Sequence, residues 1–279
     1  MSSDSTLITL DVGGTKIRGG IIHEGHVDRI TTRPSPSRVG ATAMIEAIID
    51  VTQTLRARDS LVAGLAIATA GTVDSATGKI ISATDSIAGW AGVALGERLE
   101  ERFRLPVHVA NDAVAFTVGE ARHGAGQRFS RVLGITIGTG IGCGITVDGE
   151  PQLDMESGDL IEGLLSLERQ ASGRGIEQRY RQATKTSKRL SEIHSSDPLG
   201  AELIREAAAV LRTGIREAAA RARADVVVVG GSLPTHIPQI RHALTDQDSS
   251  VLTVLAEDSE LAPLIGIAEI WAHVRKDGR

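Results

Sequence analysis

An acid, two glycines, a hydroxyl and a lysine share one short turn near the start of the chain, Asp11-Val12-Gly13-Gly14-Thr15-Lys16. Paired glycines let a backbone turn tightly and approach a ligand with no Cβ in the way, so their N–H groups can hold phosphate oxygens. Thr15 adds a hydroxyl donor and Lys16 a positive charge, and Asp11 can hold Mg²⁺, an ion that neutralises a phosphate chain. A second glycine turn, Gly138-Thr139-Gly140-Ile141-Gly142, has the same capacity. Neither fits the GxxxxGK[ST] loop or the dinucleotide fingerprint that opens a helix. Each alone also reads as a plain hairpin, and it is their pairing that favours phosphate. Asn111-Asp112 stands where an apolar run, Val107 to Ala110, gives way to a helical pattern. Asp112 there can cap the helix, or it can take a proton from an attacking alcohol while Asn111 bonds a neighbouring hydroxyl. The spacing leaves both readings open. Gly230-Gly231-Ser232 closes another apolar run and serves either as a tight bend or as backbone beside a purine or ribose.

The elements around these residues alternate in an α/β manner. Thr6 to Leu10 and Ile17 to Ile22 read as a hairpin through the first glycine turn, with a third strand near His26 to Thr32. Met44, Ala47, Ile48, Val51 and Leu55 recur at helical spacing. Leu61 to Ala68 is apolar throughout and reads as a central strand. Helices are expected over Val93 to Phe103 and Ala113 to Ala121. Val132 to Ile137, the GTGIGCG turn and Ile145 to Val147 repeat the strand, turn and strand of the N-terminus. Two copies of one device suggest two related α/β domains. A long helix over Glu202 to Ala224, strands at Val226 to Val229 and Val251 to Leu255, and a helix from Ala262 to Val274 complete the pattern.

At 279 residues the chain has room for two domains. Thirty basic against 35 acidic side chains, without like-charge blocks, give no reason to expect a nucleic-acid partner or a polybasic membrane anchor. The first apolar run stops at Asp11, too soon for a signal peptide or membrane span, so a cytoplasmic location is expected. The one cysteine, Cys143, excludes an internal disulfide or four-thiolate zinc site and reads as a packed thiol between glycines of the turn. His108 and His123 read as partly exposed or helix-end histidines.

With these motifs in hand, the chain resembles the bacterial ROK family, for repressor, open reading frame and kinase, within the sugar kinase, Hsp70 and actin superfamily. LDVGGTKIRGGII is similar to its first phosphate motif and AGTVD to its PGxVD segment. DSIAGW and LPVHVANDAVAFTVGEARHGAG are similar to the run into its base. ITIGTGIGCGITVDGE, VVVVGGSL and LAPLIGIAEI resemble its second phosphate motif, adenosine-side segment and closing helix. The resemblance implies an α/β fold of two ribonuclease-H-like, actin-like ATPase domains with a cleft between them. One domain would take residues 1–110 with 262–279, the other 111–261. It implies ATP-dependent transfer to the 6-hydroxyl of a hexose or N-acyl-hexosamine, possible acceptors including N-acetylmannosamine and glucose. Asp112 would be the base. Asn111, Asp112, Gly71, Glu156, Asp159 and Glu168 would lie on the sugar side. Gly13, Gly14, Thr15, Lys16, Gly138, Thr139 and Gly140 would surround the ATP phosphates, with Asp11 on the Mg²⁺ and Gly230 and Gly231 beside the adenosine. A homodimer is also implied.

The departures concern the sugar side. Members commonly carry a GExGH segment and a cysteine-rich zinc motif. Here DMESGDLIEGLLSLERQASGRGI keeps Glu156 and Gly158, puts Asp159 where the histidine would be and has no zinc thiolates, so no zinc is expected. Ala70 stands where proline is usual. Ten residues before Asp11 leave no room for a helix-turn-helix, so a DNA-binding repressor is not expected. A sugar- or nucleotide-sensing protein that has lost transfer remains as the alternative to a kinase.

Overall fold

In a computed structural model, the residues described are 6–23, 25–59, 61–84, 86–152, 163, 166–193, 197–245 and 251–276. They form two compact units, Met1–Gly119 with Glu260–Arg279, and Glu120–Ser259.

Unit 1 is built on strands β1 (Thr6–Val12), β2 (Lys16–His23), β3 (His26–Pro34), β4 (Val62–Thr69) and β7 (Val107–Asn111), ordered β3-β2-β1-β4-β7. A two-stranded ribbon, β5 (Thr72–Asp74) with β6 (Lys79–Ser82), adjoins it in sequence. β1, β2 and β3 are antiparallel, whereas β1, β4 and β7 run parallel. Both faces of β1 are covered, which is why its sequence is apolar nearly throughout. Ile8, Leu10 and Val12 join Met44, Ile48, Val51 and Leu55 of helix α1 (Ala41–Arg56) in one core, to which helix α2 (Leu95–Phe103) adds Leu95, Leu99 and Phe103. Leu7 faces the other way, with Ala66, Ala68 and Ala110, towards helices α3 (Asp112–His123) and α8 (Ala262–Lys276). Small side chains on that face let the helices come close: a Cβ at Gly64 would lie 2.1 Å from the Trp271 ring, and one at Gly266 would lie 1.7 Å from the Ala115 carbonyl oxygen. Because β7 runs directly into α3, Asn111 and Asp112 stay with the first sheet. The two compact units part within α3, at Gly119/Glu120.

Unit 2 repeats the plan with β8 (Arg131–Ile137), β9 (Ile141–Val147), β10 (Glu150–Pro151), β11 (Val226–Gly230) and β12 (Leu252–Leu255), ordered β10-β9-β8-β11-β12. β8 is antiparallel to β9 and parallel to β11, as β1 is to β2 and β4. Its core packs Leu133, Ile135 and Val227 against Leu203, Ala207, Leu211 and Ile215 of helix α5 (Pro198–Ala222), with Ile176 and Tyr180 of α4 (Gly173–Thr184). Asp197 caps α5 by accepting from Leu199 N–H, and Pro198 sits at the first helical position, where it has no N–H to lose. Short helices α6 (Ser232–His236) and α7 (Pro238–Thr245) follow β11. α6 and α7 are too short to show a helical pattern in the sequence, and the buried face of α4 offers only Ile176 and Tyr180 as large apolar residues. β9 starts at Ile141, four residues earlier than expected, so Cys143 lies in a strand opposite Ile135 and not in a turn.

Candidate active site

Three neighbouring parallel strands of unit 1 end at one edge, and each hands over to a predicted site residue. In register, Val12 pairs with Thr69 and Thr69 with Asn111, so the glycine turn after β1, the Ala70-Gly71 corner after β4 and Asp112 after β7 lie side by side. The carboxyl edge of parallel strands is where backbone and loops are free to meet ligands. The first turn is fixed from beneath. Gly13 N–H donates to the Lys16 carbonyl (3.0 Å), and Ser35 N–H donates to the Thr15 carbonyl (3.0 Å). The Ser37 hydroxyl donates to the Gly14 carbonyl (2.5 Å), and the Ser37 carbonyl accepts from Ala88 N–H (2.9 Å). Buried Trp90 donates from Nε1 to the Thr69 hydroxyl (3.2 Å), which in turn donates to the Val12 carbonyl (3.3 Å).

Asn111 and Asp112 divide the tasks that the sequence left open. Asn111 Oδ1 accepts from the N–H groups of Ala113 (3.0 Å) and Val114 (3.1 Å), satisfying the first turn of α3, while Nδ2 donates to the Gly71 carbonyl (2.9 Å). Gly71 has φ +104°, and a Cβ there would lie 2.6 Å from the Ser82 carbonyl oxygen, so only glycine fits this corner. Asp112 Oδ1 accepts from Ala113 N–H (2.8 Å). Burial raises the Asp112 carboxyl above the ordinary aspartate range, although backbone N–H groups oppose the shift. Burial, with the neighbouring Asp112 charge adding to it, pushes Asp11 up to about 7 against the pull of Arg18 and Lys16. Two acids with raised pKa values, one at a glycine turn, make this strand edge the candidate site.

Cations stand beside the pair. Arg18 faces Asp11 across β1 and β2, and its Nη2 lies 2.5 Å from Glu260 Oε2. Lys16 Nζ lies 2.5 Å from Glu260 Oε1. Hydrogen bonds from Arg18 and then Lys16 hold the Glu260 carboxyl down at about 2.

In unit 2, the second turn is Gly138-Thr139-Gly140. Gly138 N–H donates to the Gly140 carbonyl (2.9 Å), and the Gly138 carbonyl accepts from Gly173 N–H (2.8 Å). Glu168, expected on the sugar side, accepts through Oε2 from Ile141 N–H (2.8 Å), and a Cβ at Gly140 would lie 2.7 Å from that oxygen. Gly230 ends β11 opposite Thr136 of β8, and Gly231 turns with φ +96°, where a Cβ would lie 2.5 Å from the Ile137 carbonyl oxygen. The two glycine motifs of unit 2 are thus neighbours: Ser232 Oγ would be 3.4 Å from a Cβ on Gly138. A groove of about 460 Å³ lined by Leu167, Val210, Thr213 and Arg221 includes none of the predicted site residues.

The ROK family model matches residues 7–158 and 165–272. The chain belongs to the ROK family. A glucokinase of Streptomyces coelicolor is 35% identical over 141 residues, 50% of this chain and 43% of that protein. A bifunctional enzyme NanE/NanK of Brucella melitensis is 26% identical over 287 residues, 96% of this chain and 54% of that protein. The chain spans about half the length of the curated relatives it matches. Among solved structures, a ROK family glucokinase from Streptomyces griseus in complex with glucose and AMPPNP matches with a TM-score of 0.79 at 25% identity, over 95% of this chain and 99% of that one. The α/β fold of actin-like ATPase type expected from the sequence is borne out.

Within this ROK chain, Glu156 and Asp159 lie outside the described residues, as does the adjoining Gly158. Among the described residues, no group of three or more His, Cys, Asp or Glu side chains is placed to hold a metal ion, and no helix is long and apolar enough to cross a membrane. Ser37, Thr69, Trp90, Arg18 and Glu260 carry structural duties at the site that the sequence reading did not assign. Arg18 had a signal, a charge inside an apolar strand. Glu260 had none, because its partners lie more than 240 positions away.

Proposed function

We propose that this ROK protein is an ATP-dependent sugar kinase that transfers the γ-phosphoryl group to the 6-hydroxyl of a hexose or N-acyl-hexosamine. The observation that carries this reading is the strand-edge arrangement in unit 1: a glycine turn with Asp11 and a half-buried carboxylate, Asp112, at the ends of parallel strands that flank β4. Asp112 is the base. Its raised pKa keeps it a better proton acceptor than an ordinary carboxylate, and Asn111 supports it by holding the helix start and the Gly71 corner. Phosphoryl transfer asks for alignment and charge neutralisation more than for covalent chemistry, and the turn N–H groups, Thr15 and Lys16 are suited to that task. Asp11 fits a divalent cation, because a half-buried carboxylate raised first by desolvation and then by the Asp112 charge gains from a positive ion beside it. Bound there, Mg²⁺ would supply neutralisation of the phosphate charge. In unit 2, Gly138 to Gly140 are read as the second phosphate turn and Gly230-Gly231 as the adenosine side. The glucokinase name of one relative supports the reaction class, and the acceptor stays open between glucose-like and N-acyl-hexosamine sugars.

The test is ADP release from MgATP against glucose, mannose, N-acetylglucosamine and N-acetylmannosamine, with and without EDTA. Release with one sugar, abolished by EDTA and restored by Mg²⁺, is the expected result. Silence across the panel, with a sugar still binding in calorimetry, would replace the kinase with a sensor.

A further inference from the structure

Lys16 is the cation of the first glycine turn, and Glu260 already engages it. Glu260 is the first residue after the chain returns to unit 1, and it divides its carboxylate, Oε1 to Lys16 and Oε2 to Arg18, each at 2.5 Å. The two cations are not equivalent. The Arg18 side chain is only 8% exposed, donates from Nη1 to the Glu260 main-chain carbonyl (3.0 Å) and stands opposite Asp11. Lys16 is 40% exposed and Glu260 61%, so their half of the arrangement faces water. Glu260, held ionised, cancels one of the two cations, and Asp11 offsets the other only to the extent that it is ionised. Despite its lysine, the turn therefore offers an incoming anion less positive charge than its two cations suggest.

We propose that Glu260 is an internal stand-in for phosphate: its Oε1 holds Lys16 until a phosphate oxygen displaces it, while its Oε2 keeps Arg18 in place. The proposal rests on the kinase reading for the nature of the anion. The exchange is favourable in kind, since Lys16 trades one charge-assisted bond for another and breaks only an exposed ion pair. Glu260 is not stranded, because Arg18 stays with it. The arrangement also discriminates. A single small anion must compete with a carboxylate tethered at high local concentration, whereas a polyphosphate gripped at the same time by the turn's N–H groups can win. Glu260 is thus a positioning residue that sets which anions reach Lys16.

The experiment is calorimetric binding of inorganic tripolyphosphate, without Mg²⁺ and at low salt, to the wild type, Glu260→Gln, Lys16→Met and the double variant. Glutamine keeps the shape and still accepts from Arg18 through its amide oxygen, and a thermal melt checks that the fold is intact. Glu260→Gln should bind about fivefold more tightly, the scale of an exposed ion pair. That gain should vanish in the Lys16→Met background and shrink as salt is raised. Weaker or unchanged binding in Glu260→Gln, or the same gain without Lys16, would overturn the proposal, because a merely structural Glu260 would weaken binding in both backgrounds. Failure of tripolyphosphate to bind any of the four proteins would overturn it too. ADP formation by the wild type without the tightening would sink the role of Glu260 alone. Tightening without ADP formation from any sugar would sink the kinase reading and leave a polyphosphate-binding turn.

Discussion

Replacing Asp112 by asparagine separates the two roles that a strand-end aspartate can play. The amide is nearly isosteric, its oxygen can still accept the Ala113 N–H now bonded at 2.8 Å, and Asn111 continues to cap the helix through bonds of 3.0 and 3.1 Å. Burial already penalises the ionised form of Asp112, so removing the charge takes nothing from the fold. The melting temperature should therefore hold or rise slightly, and MgATP affinity should change little. Turnover is another matter. A positioned base contributes roughly 10² to 10⁴ in rate, or about 3 to 5 kcal/mol of transition-state stabilisation, and the amide cannot accept the hydroxyl proton. The assay is coupled ADP release at saturating sugar, run beside calorimetric nucleotide binding and a melt of the same preparation. Retention of more than about a tenth of wild-type turnover, against the hundredfold minimum loss expected for a base, would refute the assignment. A collapse of the melt would show that the carboxylate is structural and that the capping argument is mistaken.

Two further outcomes follow from unit 1. Gly266→Ala places a methyl 1.7 Å from the Ala115 carbonyl oxygen where α3 and α8 meet; overpacking of backbone against backbone should cost about 3 kcal/mol, seen as a melt lowered by roughly 10 °C, and an unchanged melt would mean the helices are free to part. His108 is buried, its Nε2 has no hydrogen-bond partner among the described residues, and burial lowers its pKa. A histidine depressed in the folded state leaves the unfolded chain with more bound protons below about pH 6.5, so stability is held above that value and falls as pH drops, by at most about 1.4 kcal/mol per pH unit. Denaturant midpoints measured from pH 7.5 to 5.5 should fall less steeply for His108→Leu than for the wild type, and parallel curves would contradict the assignment.

Much of the framework was legible because it is local. The strand, glycine turn and strand device recurs in the sequence at residues 6–22 and 132–147, and the structure repeats it with the same antiparallel and parallel neighbours. Continuous apolar runs announced β4 and β11, since strands covered on both faces need no polar alternation. α1, α5 and α8 declared themselves by 3.6-residue spacing. α4 and the short α6 and α7 did not, and the extent of β9 was missed because Gly142 and Gly144 look like turn residues although they pair with Thr136 and Gly134. His108, read as partly exposed, is 8% exposed, because its strand is flanked by β4 and backed by the α3 and α8 layer.

At the site, the sequence by itself determined which residue types were available and which turns needed glycine, because backbone conformation and close approach are properties of a few consecutive residues. Only the tertiary structure decided how they are shared out. Parallel pairing through Val12, Thr69 and Asn111 set three distant segments at one edge. Most of the helix capping fell to Asn111, and Asp112 was left with the Ala113 N–H and a desolvated carboxylate. Glu168 went to the Ile141 N–H, and Glu260 came to Lys16 and Arg18 from the far end of the chain. Each of these is a competition among hydrogen-bond donors, acceptors and charges brought together by packing, and sequence spacing carries no information about which neighbour wins.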